Sequence, residues 1–171
     1  MRQRGISLAL LTGLVSFATP LVGYADFRLD TGYYQLLERV GADNMPDGEG
    51  VAVAQVEAPE GGTNYAPNTS DPEISSHEFT DRSGGSAASS SHATVVARWF
   101  YGSTVSMAPQ ADGISLYEFS GWIVDDFLRS NYSSSTAPLG MPAGIKVLNH
   151  SWIASFGNVN NDHIAMRRLD Y

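Results

Sequence analysis

The chain has no cysteine, and that absence removes disulfides and thiolate metal sites together. It also has a single lysine, Lys146, and its ten basic residues face eighteen acidic ones. No basic patch exists, so nucleic acid and anionic membrane surfaces, which both need clustered Lys and Arg, are excluded as partners. Internal repeats are absent. One apolar run stands out, Ile6 to Pro20, and it is interrupted by Thr12, Gly13, Ser16, Thr19 and Pro20.

That run follows Arg2 and Arg4 and precedes Gly23-Tyr24-Ala25, the layout of a secretory signal peptide cleaved before Asp26. Residues 1–25 are therefore expected to be removed, with no stable membrane insertion afterwards and a secreted or periplasmic destination. Cleavage leaves 8 basic against 18 acidic side chains, a formal charge of −10. About 146 mature residues suffice for one modest core or part of a larger one.

Residues 26–49 form a lead-in whose segment 33–40 (Tyr-Tyr-Gln-Leu-Leu-Glu-Arg-Val) patterns as a short amphipathic helix. Three short apolar runs then read as buried parallel strands: 51–57, 113–119 and 145–151. Between them, a helix is expected from His92 to about Tyr101, stopping near Gly102, with Ser91 as its N-cap. A second helix is expected over Trp122–Ser130, with Val124, Phe127 and Leu128 at i, i+3 and i+4, and a third from Asn160 to Tyr171. Residues 58–91 are rich in Gly, Ser and Pro with little periodicity, apart from an edge segment around 74–80. Alternating strands and helices imply an α/β fold, a mostly parallel sheet with helices on its faces.

The candidate chemistry centres on His92, which follows a Gly/Ser loop and opens a helix, where an imidazole is fixed by a rigid element yet open to substrate. Glu57 ends the first strand and is the candidate carboxylate partner. A metal site from His77, Glu78 and His92 lacks the i, i+4 spacing zinc requires, so neither a metal nor a cofactor is expected. Trp99, Phe100 and Tyr101 read as helix packing.

The order of motifs resembles the subtilisin-like serine peptidases. Gly50-Val51-Ala52-Val53-Ala54-Gln55-Val56-Glu57 is similar to the family's G-x-V-A-V-x-D strand, with Glu57 where the triad aspartate belongs. His92-Ala93-Thr94-Val95-Val96-Ala97 is similar to H-G-T-H-V-A, and Ser106-Met107-Ala108-Pro109-Gln110-Ala111 to G-V-A-P-x-A. Asn149-His150-Ser151-Trp152 keeps the asparagine and serine of N-M-S-L-G. The resemblance implies an incomplete, doubly wound sheet of the subtilisin-like type over residues 50–171. It implies proteolysis of a polypeptide substrate with His92 as general base, Glu57 as its orienting carboxylate, and Asn149, Ser151 and Trp152 bordering the substrate cleft.

The family's nucleophile motif, G-T-S-M-A-x-P, has no counterpart here. Ser106 imitates it but lies 14 residues after His92, before a strand, and so reads as a decoy. The resemblance thus implies an N-terminal fragment whose domain has a missing C-terminal half, inactive by the triad mechanism when alone. The alternative is an exported non-catalytic relative acting as a binding module. Residues 26–171 in isolation are expected to be poorly soluble, because the third strand would leave an apolar edge unpaired.

Overall fold

The computed structural model describes residues 27–84, 88–129, 137–139, 144–154 and 157–169. The segment expected as a signal peptide, residues 1–25, and Ser130 to Thr136 lie outside these residues. Four strands form one all-parallel sheet: β1 (Ala52–Glu57), β2 (Phe79–Asp81), β3 (Asp112–Glu118) and β4 (Ile145–His150), in the order β2-β3-β1-β4. The α/β class with a parallel sheet follows directly. β2 is an edge strand of only three residues, at the end of the segment around 74–80.

Alternation along the strands divides the core in two. Val53, Ile114 and Leu116 face helix α3 (Ser91–Tyr101), which contributes Ala97 and Tyr101. Ala54, Val56, Tyr117 and Ile145 face the other way, onto Trp122, Ile123 and Leu128. α3 can lie close to the sheet because the residues it buries there, Ala93 and Ala97, are small and fully buried. It stops at Gly102, where an added Cβ would stand 2.3 Å from the Arg98 carbonyl oxygen.

Two expectations are corrected. The helix cap is Ser90: its backbone is extended and its hydroxyl accepts from the Ala93 N–H at 3.1 Å. The expected cap, Ser91, is already helical, and its hydroxyl donates to Glu60. The segment expected as an α-helix over 122–130 is instead π-helical, Gly121–Asp126, with Phe127 N–H donating to the Trp122 carbonyl five residues back. The wider turn brings residues five apart to one side. Trp122 and Phe127 accordingly stack with ring centroids 4.4 Å apart and planes 21° apart.

The lead-in contains α1 (Phe27–Asp30), α2 (Tyr33–Val40) and a single 3₁₀ turn, Ala42–Asn44. Arg28 ties it to the chain after α3, donating to the Thr104 and Ser106 carbonyls. α4 (Val159–Leu169) buries Ala165 and anchors through Arg168, which donates to the Leu128 carbonyl at 2.8 Å. Among the described residues no helix is long and apolar enough to cross a membrane.

Candidate active site

In a parallel sheet the strands end together, and the loops leaving those ends make the usual ligand-binding rim. β1, flanked by β3 and β4, delivers Glu57 to that rim; α3 returns antiparallel to the strands' rise and begins there with His92. Nε2 of His92 lies 3.4 Å from Oε2 of Glu57. The carboxylate is 1% exposed, whereas the imidazole is 56% exposed. Two residues 35 apart in sequence thus form a buried-carboxylate, open-imidazole pair.

A second contact fixes the state of the ring. Nε2 also lies 2.8 Å from the Ser151 carbonyl oxygen, which can only accept a hydrogen bond. Nε2 therefore carries the proton, and in the neutral ring Nδ1 holds the lone pair available to a substrate proton. In the Ser-His-Asp template the carboxylate holds Nδ1–H and Nε2 takes the proton. Here the ring edges are exchanged.

Burial holds the Glu57 carboxyl above the ordinary carboxylate range, opposed by the Gln55 hydrogen bond and the His92 charge. Gln55 Nε2 donates to Glu57 Oε1 at 2.8 Å and to the Ala93 carbonyl at 3.0 Å. The Tyr101 hydroxyl donates to Gln55 Oε1 at 2.5 Å. Neither Gln55 nor Tyr101 is marked by the family motifs. Strand alternation places Gln55 on the Glu57 face and was the available signal; the Tyr101 contact depends on how α3 crosses β1.

The first turn of α3 is held from outside the helix as well. Glu60 accepts from Ser90 Oγ at 2.8 Å and from the Ser91 N–H at 2.8 Å. Those bonds, the Ser90 hydroxyl foremost, keep its carboxyl below the ordinary range. A carboxylate at a helix N-terminus is favoured by the exposed N–H groups and the dipole. Thr94 adds a further tie, accepting from the Asn68 N–H at 2.9 Å.

Of the expected cleft residues, Ser151 reaches His92 through its backbone carbonyl, and Asn149 stands behind it, donating from Nδ2 to Ser151 Oγ at 2.7 Å. Trp152 goes elsewhere. Its indole N–H donates to His150 Nδ1 at 3.1 Å and its ring packs edge-on against Phe119 at 4.4 Å. Burial lowers the basicity of His150, consistent with a neutral ring accepting from Trp152.

Ser106 is 1% exposed; its hydroxyl donates to the Gly102 carbonyl at 2.7 Å, beyond the far end of α3 from His92. Among the described residues no serine hydroxyl is hydrogen-bonded to the imidazole. His77 contacts the Tyr101 carbonyl at 2.6 Å, at the opposite end of α3 from His92, so these two histidines do not share a site. Comparison with protein-family models, with curated proteins and with solved structures returns no match.

Proposed function

We propose that this chain carries the base-and-carboxylate part of an exported subtilisin-like serine endopeptidase, acting on polypeptide and needing no cofactor. The observation that carries the reading is the contact between His92 and the buried Glu57 at the end of the central parallel strand. In this mechanism the neutral imidazole takes the proton of a serine hydroxyl as that oxygen attacks the peptide carbonyl. Glu57 then stabilises the imidazolium and holds the ring, and the imidazolium returns the proton to the leaving amine. The longer glutamate side chain meets the ring at 3.4 Å, within ion-pair range. Asn149 and the Ser151 backbone border the substrate, with Trp152 behind them.

Among the described residues no serine hydroxyl bonds to His92, so the test uses the native gene product. Peptide hydrolysis is expected, with kcat/KM reduced roughly 10²–10⁴-fold by His92→Ala, the span of general-base catalysis. A folded product that hydrolyses no peptide refutes the reading.

A second reading, an exported non-catalytic relative that binds polypeptide, is favoured by the serine hydroxyls. The hydroxyls of Ser106 and Ser151 engage Gly102 and Asn149 respectively, and neither hydroxyl bonds to His92. Peptide binding without turnover, unaffected by His92→Ala, would select it.

A further inference from the structure

We infer that Gln55 and Tyr101 are positioning residues that aim Glu57 at His92. The inference rests on the catalytic reading of that pair, but its geometry stands independently. β1 alternation puts Gln55 and Glu57 on one face, and α3 presents Ala93, Ala97 and Tyr101 at i, i+4 and i+8 toward it. Gln55 and Glu57 are each 1% exposed and Tyr101 is fully buried. Every polar atom of the glutamine is placed. Nε2 gives one hydrogen to Glu57 Oε1 and the other to the Ala93 carbonyl, while Oε1 receives the Tyr101 hydroxyl.

The orientation of the amide is dictated by these partners. Turned over, its oxygen would face two acceptors, and its NH₂ group would meet the phenol. The Ala93 carbonyl, which can only accept, thus selects the one orientation in which Gln55 donates to Glu57, and the Tyr101 hydroxyl completes it by donating to Oε1. With Oε1 of Glu57 occupied, Oε2 is left facing Nε2 of His92. Because Gln55 also holds the carbonyl of Ala93, the residue after His92, it sets the spacing between strand and helix at the point where carboxylate and imidazole meet.

A packing role alone would not account for this. The neighbours on this face are Val53, Ile114, Leu116 and Ala97, and a buried amide there is tolerated only when fully hydrogen-bonded. The titratable groups that face Glu57 are His92 and Tyr101 from α3, with Glu118 as its register neighbour on β3. Burial, with the Glu57 charge as a lesser contribution, raises the Tyr101 phenol far above its ordinary range, so it stays a donor.

The test follows the Glu57 carboxyl carbon by NMR titration in the full chain, without substrate, for wild type, Tyr101→Phe and Gln55→Met. Losing a hydrogen bond that favours the charged carboxylate should tighten proton binding by roughly tenfold in Gln55→Met. Tyr101→Phe should move the midpoint upward by a smaller amount. In hydrolysis by the native product, the acid limb of the kcat/KM profile should shift upward in step. A structural role would lower the melting temperature and leave the Glu57 midpoint in place, and that result overturns the inference. Tyr101→Phe removes one hydroxyl only, so it decides the matter if Gln55→Met does not fold. Absent hydrolysis with a shifted midpoint would refute the peptidase reading and leave the positioning network standing.

Discussion

Ser90→Ala is the perturbation whose size the structure fixes best, because Ser90 and Ser91 compete as the cap of α3. Ser90 is 3% exposed, and its hydroxyl accepts from the N–H of Ala93, itself fully buried. Removing an N-cap hydroxyl costs about 1 kcal/mol, and toward about 2 kcal/mol where the orphaned amide cannot reach water. In a chain of this size each kcal/mol corresponds to about 2–4 °C near the midpoint, so a fall of about 2–8 °C is expected. Ser91→Ala removes a hydroxyl at an exposed position where it bonds to Glu60, and about 0.5 kcal/mol or less is expected. Thermal melts by circular dichroism compare the two variants, and hydrogen exchange at the Ala93 amide localises the loss. Equal destabilisation, or a larger effect from Ser91→Ala, would refute this account of how the turn carrying His92 is built.

Other outcomes follow from the same contacts. Trp122→Ala should cost about 3–5 kcal/mol, a large part of a typical stability of about 5–15 kcal/mol, read by urea denaturation; Trp122 is 1% exposed and packs on Tyr117 and Phe127. The Arg98 hydrogen bond holds the Asp71 carboxyl below its unfolded value. Its stabilisation is therefore present above the unfolded value and lost as pH falls through the folded one. Arg98→Met should flatten that acid slope in melting temperature against pH. Glu57 has the opposite sign: burial raises it, so its contribution is present below the unfolded value and lost as pH rises through the folded one. Glu57→Gln should accordingly melt higher than wild type at neutral pH, with the gap closing in acid. Val147, 44% exposed on edge strand β4, should yield to Val147→Lys with less aggregate by light scattering if that edge drives association.

Much of the architecture was legible because it rests on short-range periodicity. The runs expected as strands at 51–57, 113–119 and 145–151 coincide with β1, β3 and β4 to within a residue at either end. The helix of the lead-in, 33–40, coincides with α2. Where reading failed, a non-local contact decided. Ser90 and Ser91 are equivalent as cap residues in sequence; the choice between them involves Glu60 and Ala66, which hold the chain on either side. The π-helical turn depends on Trp122 stacking with Phe127, a spacing that α-helical periodicity does not count. At the site, His92 and Glu57 were marked by their positions at the start of a helix and the end of a strand. Gln55 and Tyr101 were not, because each looks like a core residue until the strand and helix are brought face to face. Trp152 sat in the cleft motif by sequence, yet its indole is held by His150 and Phe119.

The most direct test of the central claim is fluorophosphonate labelling of the native gene product, followed by intact mass and peptide mapping. If His92 and Glu57 activate a serine, the wild-type product gains one phosphonyl group on a serine, and His92→Ala and Glu57→Leu each lose the label while remaining folded. A folded wild-type product that takes up no label, or one labelled equally with and without His92, would contradict the account.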